Sequence, residues 1–332
     1  MALLSVEELS VTFTAKGRKD STAVDGVSFD VDQGQVVGLV GESGCGKSVT
    51  SLALMGLLPG KGVKVGGRAE FDGKDLLSMS PRKLRDMRGS QLAMIFQDPL
   101  SSLNPVVPIG VQVTEILERH RGLKGEAARK EAANLLDRVG IPDPTRRLKE
   151  YPHQLSGGMR QRALIAMAVA CAPRLLIADE PTTALDVTIQ AQILELLKEL
   201  VDQEGTALLM ITHDLGVVAG LCDQVNVLYA GRAVESAGRR ELFAHPTHPY
   251  AHGLLGSIPR LDAPRGEPLS PIRGSINDRI AWADGCAFAP RCDYYTMECL
   301  TGTPELTEPR AAGHQVRCVN PVLPKPKAEV SA

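Results

Sequence analysis

Short, fully apolar stretches alternate with helical periodicity through the first 240 residues. Residues 35–40 read as a buried strand and residues 48–58 as the helix that follows it. Apolar residues recur on one helical face over 187–203, and Gly205 ends that pattern. Further buried strands are predicted at 175–179, 207–211 and 225–229. Continuous apolar strands that alternate with helices predict an α/β fold with a mostly parallel sheet covered on both faces.

Two regions depart from this rhythm. Residues 117–139 have a helical pattern, and we predict an inserted helical subdomain over about 98–172. From about residue 241 the composition changes, because 12 of the 22 prolines lie in the last 92 residues. We therefore predict one domain over 1–240, a small loop-rich domain over 241–323 and a disordered tail over 324–332.

Composition narrows the possible partners. The net charge is -2 and aromatic residues make up 4% of the chain, so neither a basic field nor stacking platforms indicate nucleic acid. The longest clean apolar stretch, residues 163–172, is too short to span a membrane, and the first residues lack a signal-peptide pattern. We expect a cytoplasmic protein that reaches a membrane only through partner subunits.

A phosphate-binding loop is the strongest motif. Residues 41–48 read GESGCGKS, between a predicted strand and a predicted helix, which is the context that this pattern requires. The glycines let backbone amides turn toward phosphate, and the helix start adds its positive end. Lys47 would reach the β- and γ-phosphates, and the Ser48 hydroxyl would ligate Mg²⁺. The predicted ATP-binding residues here are Gly41, Ser43, Gly44, Cys45, Gly46, Lys47, Ser48 and Val49.

Two further strand ends carry candidate catalytic residues. Asp179 and Glu180 follow the apolar run 175–178, so Asp179 suits Mg²⁺ through a water and Glu180 could polarise the attacking water. His213 follows the strand 207–211, which would open on the same sheet edge, and it could contact the γ-phosphate. Adjacent acids are also common as surface charge, and a lone histidine is more often structural.

A second candidate anion site begins at Ser156. Ser156 is a good N-cap, and Gly157 and Gly158 leave the first helical amides uncovered. This site lies about 115 residues after the phosphate loop. One nucleotide does not need two such helix ends from one chain, so we predict that Ser156–Gly158 grips a nucleotide bound to a partner.

With these motifs in order, the first 240 residues resemble the ATPase cassette of ABC transporters. Further matching motifs are IFQDP around Gln97, LSGGMRQR at 155–162 and ALD at 184–186. The resemblance implies a P-loop NTPase fold with a RecA-like mixed sheet, an antiparallel β edge and a helical subdomain. It also implies head-to-tail dimers, with ATP between the phosphate loop of one subunit and Ser156–Gly158 of the other.

The same resemblance assigns roles to individual residues. It implies that Gln97 contacts Mg²⁺ or the attacking water and that His213 joins Gln97 and Glu180 in catalysis. Gln161 would help to contact the partner's ATP, and Asp186 would belong to the D-loop between subunits. Phe13 falls where the family places an aromatic residue against adenine, often Tyr; Phe can stack but offers no hydroxyl.

The finer resemblance is to ATPases of oligopeptide, dipeptide and nickel importers. It rests on QDPLSSLNP at 97–105, YPHQLS at 151–156 and HPTHPY at 245–250. It implies a second ATPase subunit, two membrane permeases and an external solute-binding protein at the plasma membrane. Peptides are the expected cargo, with nickel or another small solute as alternatives. For the histidines in and after HPTHPY we favour a structural role over a metal site, since Pro246 and Pro249 dominate the local backbone.

Two other functional classes fit less well. Soluble ABC ATPases that act on ribosomes or DNA usually carry two cassettes, coiled-coil insertions or basic extensions, and none is evident in the sequence. A nonhydrolytic nucleotide sensor is disfavoured because Glu180 and His213 are both retained. The leading interpretation is a transport-coupled ATPase.

Four cysteines close to the C-terminus form a separate candidate site. Cys286, Cys292, Cys299 and Cys318 have the spacing C-x5-C-x6-C-x18-C, without the tight pairs typical of zinc sites. Four thiolates are the ligand set of a [4Fe–4S] cluster, and the region resembles the tail of peptide-importer ATPases, some of which are thought to hold one. We predict a structural [4Fe–4S] cluster, with zinc or unliganded thiols as alternatives.

Overall fold

The computed structural model describes residues 2–14, 17, 20–183, 185–257, 272–274 and 285–323 of the 332-residue chain. The predicted tail, 324–332, lies outside the described residues. The strands are β1 Leu4–Phe13, β2 Ser21–Val31, β3 Val36–Val40, β4 Val63–Phe71, β5 Lys74–Asp75, β6 Leu92–Ile95, β7 Leu175–Asp179, β8 Ala207–Thr212, β9 Gln224–Tyr229, β10 Arg232–Gly238 and β11 Gln315–Val316. The helices are α1 Lys47–Leu54, α2 Pro81–Met87, α3 Pro99–Ser102, α4 Ile109–Arg121, α5 Gly125–Arg138, α6 Pro144–Arg147, α7 Gly157–Val169, α8 Val187–Glu204, α9 Leu215–Leu221, α10 Arg239–Ala244 and α11 Pro249–Gly256.

Two sheets organise the described residues. The larger has the strand order β11-β10-β9-β3-β8-β7-β6, with parallel pairing from β9 to β6 and antiparallel pairing of β10 with β9 and β11. The smaller sheet, β2-β1-β4-β5, is antiparallel throughout. The predicted fold class, a mixed sheet with an antiparallel β edge and a helical subdomain, is confirmed.

The parallel strands are mainly apolar, as expected for a sheet whose two faces are both covered. Successive side chains of a strand point to opposite faces. One face packs on a core shared with the helical subdomain, to which the strands contribute Val36, Val40, Leu176, Ala178, Leu208 and Met210. The other face packs on a core shared with α1 and the smaller sheet, to which they contribute Val37, Leu39, Leu175, Ile177, Leu209 and Ile211.

The helical pattern over 117–139 covers the end of α4 and all of α5. Helix α4 is capped by Gly122, whose φ of 66° places it in the left-handed region that favours glycine at a helix C-terminus. Helix α5 starts at Gly125, and Leu117 from α4 packs with Leu135 and Leu136 from α5 in one core. The apolar positions of the two helices therefore line one buried surface. The hydrophobic periodicity alone does not show where one helix ends and the next begins.

The C-terminal region is joined to the larger sheet by a strand that the sequence did not reveal. Strand β11 pairs with β10 through Glu235 opposite Val316. The Glu235 side chain is fully buried, and it accepts hydrogen bonds from the backbone N–H groups of Thr247 and His248, both at 2.8 Å. His314 Nε2 lies 2.6 Å from the same carboxylate. One buried acid thus connects β10, the HPTHP segment and the C-terminal region.

His248 has a structural position. Its Nδ1 accepts from the backbone N–H of Tyr250 at 3.0 Å, which caps the start of α11. Burial lowers the pKa of His248 to about 3, so the ring is neutral at physiological pH. This arrangement agrees with the structural role favoured for the histidine-proline motif.

Glu235→Ala is expected to lower the free energy of unfolding by about 3 kcal/mol, because two buried amides and His314 lose their acceptor. Urea denaturation measures the change. Glu199→Ala on the exposed face of α8 is the matched control and should change stability by less than about 0.5 kcal/mol. Equal losses in the two variants would contradict a stabilising role for the buried carboxylate.

Candidate functional site

The predicted phosphate loop and the two predicted catalytic strand ends lie side by side. Strand β8 is hydrogen-bonded between β3 and β7, and the three strands are parallel. In this register Val40 is opposite Thr212, and Asp179 is opposite Ile211. The segments that follow the three strands therefore leave the sheet at one edge, where the carboxyl ends of parallel strands form ligand sites.

Only glycine fits two positions of the phosphate loop. Gly41 has a φ of 153°, and a Cβ there would lie 2.2 Å from the carbonyl oxygen of Leu228. Gly46 has a φ of 109°, and a Cβ there would lie 2.5 Å from the carbonyl oxygen of Ala23. The loop backbone is thus pressed against its neighbours before helix α1 starts at Lys47. A tight loop leading into a helix N-terminus is the geometry that binds phosphate.

The side chains of Lys47 and Cys45 are turned into the loop. Lys47 Nζ donates to the carbonyl oxygens of Gly41 at 2.7 Å and Glu42 at 3.1 Å, and the residue is 4% exposed. Cys45 is fully buried, and burial raises the pKa of its thiol although Lys47 opposes the shift. A nucleotide could therefore contact Cys45 only through its backbone, whereas Ser43 and Gly44 are exposed at the loop surface.

Two of the residues predicted to hold Mg²⁺, Ser48 and Asp179, are in contact. Ser48 Oγ donates to Asp179 Oδ1 at 3.0 Å, and Asp179 is 4% exposed. Burial raises the pKa of Asp179, the nearby Glu180 raises it further, and Ser48 and Lys47 oppose the shift. A hydroxyl and a buried carboxylate next to a phosphate loop are an oxygen donor set suited to Mg²⁺.

Glu180 connects the predicted catalytic residues. Gln97 Nε2 donates to Glu180 Oε2 at 2.9 Å, and the Thr183 hydroxyl donates to the same oxygen at 2.9 Å. His213 Nδ1 lies 3.2 Å from Glu180 Oε1. Glu180 has a φ of 46°, a left-handed conformation that is costly for a residue with a side chain and is found mostly at functional sites.

A cavity of about 370 Å³ opens between the phosphate loop and this group. Its lining includes Glu180 and His213 from the strand ends and Leu215 from α9. The remaining lining residues are Gly41, Glu42, Ser43 and Leu254. Gln97 lies beside this group through its hydrogen bond to Glu180, and Asp179 through its contact with Ser48.

The second predicted anion site, at the start of α7, differs from the phosphate loop in its surroundings. Ser156 Oγ accepts from the backbone N–H of Met159 at 3.3 Å and caps α7, and Ser156 and Gly157 are both exposed. A Cβ at Gly158 would lie 2.9 Å from the Ile189 side chain, so glycine allows α7 to pack against α8. The neighbours of this helix start belong to the D-loop and α8 rather than to the phosphate loop.

Three other predicted residues have distinct surroundings. Asp186 caps α8 by accepting from the backbone N–H of Ile189 at 3.0 Å. Gln161 is 1% exposed, so its predicted contact with a partner's nucleotide has no support in the single subunit. Phe13 ends β1 and, like Val49 of α1, is partly buried against the core between the sheets. Adenine stacking by Phe13 stays a prediction.

The four C-terminal cysteines share one region without forming a metal site. The backbone N–H of Cys286 donates to the carbonyl oxygen of Cys299 at 2.8 Å, and the Cys318 thiol is within electrostatic range of the other three. Burial raises the pKa of Cys292 to about 11 and that of Cys318 to about 12. All four thiols are free. Among the described residues, no group of three or more His, Cys, Asp or Glu side chains is arranged to hold a metal ion.

The predicted [4Fe–4S] cluster therefore has no support from the side-chain arrangement. Cys spacing shows that thiols are near each other in sequence, but it does not fix their directions in a region built of short turns and 3₁₀ helices at Ala289–Arg291 and Met297–Leu300. A zinc site is unsupported for the same reason.

Sequence reasoning missed two residues that contact the site. Thr183 lies three positions after Glu180, and that spacing within a turn could have suggested the hydrogen bond. Glu42 lines the cavity as the second residue of the phosphate loop, a position where the motif allows any residue. No feature of the local sequence sets it apart.

Asp179→Asn is expected to stabilise the ligand-free protein. Because the folded-state pKa of Asp179 is raised, its charged form opposes folding above that pKa, and the penalty is lost as the pH falls through it. Asn keeps an oxygen that can accept from Ser48. At neutral pH, without Mg²⁺ or nucleotide, calorimetry should show a Tm a few degrees above wild type, and the difference should shrink on acidification.

The control for this measurement is Asp202→Asn, on the exposed side of α8, which should leave Tm unchanged. A lower Tm for Asp179→Asn than for wild type at neutral pH would show that the charged carboxylate of Asp179 does not destabilise the folded protein.

Every helix among the described residues is too short or too polar to cross a membrane. Comparison with known proteins identifies relatives along nearly the whole chain. The family model described as ABC transporter matches residues 24–183, and the model described as oligopeptide/dipeptide transporter, C-terminal region, matches residues 234–299.

Individual relatives and solved structures agree with these two family matches. The dipeptide transport ATP-binding protein DppD of Bacillus subtilis is 52% identical over 317 residues, covering 95% of this chain and 94% of the relative. The oligopeptide transport ATP-binding protein OppD of Salmonella typhimurium is 49% identical over 320 residues, covering 96% and 94%. A dimeric bacterial ABC transporter cassette, MJ0796, aligns with a TM-score of 0.64 and 28% identity over 71% of this chain and 99% of that chain. The chain belongs to the ABC transporter ATP-binding proteins, in the branch that carries the oligopeptide/dipeptide transporter C-terminal region.

Proposed function

We propose that this chain binds and hydrolyses ATP to energise the uptake of dipeptides or oligopeptides by a membrane transporter. The observation that carries the proposal is the convergence of Ser48, Asp179 and Glu180 beside the phosphate loop. The relatives named for dipeptide and oligopeptide transport, which match across nearly the full length, support the peptide cargo. Nickel or another small solute is the alternative cargo.

Each residue of the site has a definite task in this proposal. The amides of the phosphate loop and Lys47 bind the β- and γ-phosphates, and Ser48, Asp179 and Gln97 hold Mg²⁺ directly or through water. Bound Mg²⁺ would neutralise charge on the phosphates. Glu180 accepts a proton from the attacking water, and Gln97 and His213 orient the carboxylate that they contact.

The site is completed by a second ATPase subunit. The exposed start of α7 at Ser156 and Gly157 offers uncovered amides and the positive end of a helix, which suit the phosphates of a nucleotide held by a partner. Asp186 at the start of α8 lies beside it in the same interface. Two solved structures of one relative, MJ0796, one of them bound to ADP and Pi, are dimeric and support this arrangement. A monomer would then bind ATP and turn it over poorly.

The remaining parts of the assembly follow from the transporter role. Two permease subunits would bind the ATPase pair at the cytoplasmic face of the plasma membrane, and an external binding protein would deliver the solute. The proposed ATPase domain spans residues 1–240, with the helical subdomain over about 98–172, and the C-terminal domain spans 241–323. Phe13 would stack on adenine.

Glu180→Gln tests the catalytic assignment. Turnover of ATP should fall at least about a hundredfold because the general base is lost, while ATP binding is kept. With Mg²⁺ and ATP the variant should accumulate as a dimer, alone or with the ATPase subunit that co-purifies, as measured by size-exclusion chromatography with light scattering. Normal hydrolysis by this variant would exclude Glu180 as the base.

Two controls make the result specific. Glu199→Gln on the exposed face of α8 should behave as wild type. Adding Gly157→Asp to Glu180→Gln should keep ATP binding but prevent the dimer, because a carboxylate would face the partner's phosphates. A side chain fits there, since a Cβ at Gly157 meets its nearest neighbour, Leu185, at 3.9 Å. An ATP-bound dimer in the double variant would show that Ser156–Gly158 is not the gripping surface.

For the cysteine region we propose a [4Fe–4S] cluster held by Cys286, Cys292, Cys299 and Cys318. The support is limited to four free thiols in one electrostatic neighbourhood and to the cysteine count. Holding a metal would require the thiols of Cys286, Cys292 and Cys318 to lose protons, although burial raises the pKa of each. Since the four side chains are not arranged to hold a metal ion, assembly of the cluster must also rearrange them.

Anaerobic purification of the full chain tests the cluster. We expect a brown protein with broad visible absorption and about four iron and four sulfide per chain. Cys299→Ser should abolish both, whereas Cys171→Ser, outside this region, should not. A colourless protein with stoichiometric zinc, or with no metal, would refute the cluster.

A further inference from the structure

An ion pair joins the C-terminal region to the phosphate loop. Arg291 Nη1 lies 2.6 Å from Glu42 Oε2, and Arg291 Nη2 lies 2.9 Å from Glu42 Oε1. Two parallel charge-assisted hydrogen bonds are the strong, directional form of this pairing. The Arg291 side chain is only 6% exposed, and Glu42 directly follows Gly41 in the loop. A residue 249 positions away is thus fixed to the nucleotide-binding loop.

Arg291 is itself held in place from the C-terminal side. Its Nε donates to the carbonyl oxygen of Arg273 at 2.7 Å. Its guanidinium carbon lies 5.8 Å from the ring centroid of Tyr229 and 6.0 Å from that of Phe288. A guanidinium positioned by a carbonyl and two rings loses little freedom when it pairs with a carboxylate.

The backbone of the loop is held at the same residue. The N–H of Glu42 donates to the hydroxyl oxygen of Tyr250 at 2.9 Å. Tyr250 is fully buried, and its ring packs edge-on against Tyr229 at 4.7 Å between centroids. The side chain and the amide of Glu42 are therefore both bound by the cluster that contains Arg291.

The ion pair also neutralises a negative charge beside the proposed phosphate site. Glu42 lines the cavity between the phosphate loop and Glu180, where the proposed function places the phosphates. A carboxylate there without a cation beside it would repel a triphosphate. Arg291 neutralises this carboxylate through the paired hydrogen bonds.

We propose that Arg291 is a positioning residue for ATP, which acts through Glu42 to keep the phosphate loop electrically and conformationally able to bind the nucleotide. The inference rests on the proposed ATP-binding function and extends it to the C-terminal region. Arg291 is not assigned contact with the reacting atoms.

Mg-ATP binding to the full chain, measured by titration calorimetry, tests the proposal. Arg291→Gln should weaken binding about tenfold, the scale of an unpaired unit charge near the ligand. In Arg291→Gln/Glu42→Gln the repelling charge is also gone, so affinity should recover to within about threefold of wild type. Arg273→Gln, an arginine of the same region with an 84% exposed side chain, is the control and should bind as wild type.

Steady-state kinetics separate positioning from general damage. Arg291→Gln should raise KM for ATP in parallel with the binding constant and leave kcat within about twofold, because Arg291 does not touch the reacting atoms. Arg291→Lys keeps the charge without the paired nitrogens, so its affinity should be intermediate. This variant also carries the test if thermal unfolding shows that Arg291→Gln does not fold.

Four outcomes are decisive. Wild-type affinity in Arg291→Gln, or a double variant as weak as Arg291→Gln alone, would overturn the inference and leave Arg291 with a scaffold role. Failure of the wild-type chain to bind Mg-ATP would instead refute the proposed function. Weak Mg-ATP binding by Arg291→Gln, together with recovered binding by Arg291→Gln/Glu42→Gln, would establish that Arg291 acts through Glu42.

Discussion

The parallel register of β3, β8 and β7 is the constraint on which the site depends. Both faces of these strands are apolar, so the hydrophobic pattern alone does not choose between neighbouring registers. Backbone hydrogen bonds between the strands hold the observed register. Leu208 N–H, in β8, donates to the Gln35 carbonyl just before β3 at 2.9 Å, and Glu180 N–H, just after β7, donates to the Ile211 carbonyl at 2.8 Å. A shift by one residue would separate Glu180 from the loop.

The site contains charged side chains that are buried, which is ordinarily unfavourable for folding. Lys47, Asp179 and Glu180 are each less than one-tenth exposed, and Glu180 also has a left-handed backbone. Neighbouring polar groups compensate only in part, since burial still raises the pKa of Asp179. Such a site is more costly to fold than an apolar one, and ligand binding to the folded state offsets that cost.

Local patterns were enough to predict much of the fold and which residues meet at the carboxyl edge of the larger sheet. Strands β7 and β8 and helix α8 lie within one residue of their predicted bounds, because continuous apolar runs and a capped amphipathic face are local signals. Given parallel strands, the meeting of Asp179, Glu180 and His213 follows from topology. The break at Gly122 was missed because α4 and α5 bury one continuous surface. Strand β11 was missed because two residues that pair with the distant strand β10 and with Thr307 have no pattern of their own.

The same reasoning explains why the sequence does not predict the contacts between the C-terminal region and the rest of the chain. Its composition is loop-rich, yet it contacts the cassette through β11, through His314 on Glu235 and through Arg291 on Glu42. Each contact joins residues at least 79 positions apart in sequence, which no spacing rule can relate. Arg291 directly precedes Cys292, so a rearrangement of the cysteine side chains that moves this backbone also moves the guanidinium that holds the loop. The geometry thereby makes nucleotide affinity depend on a region that contributes no residue to the chemistry.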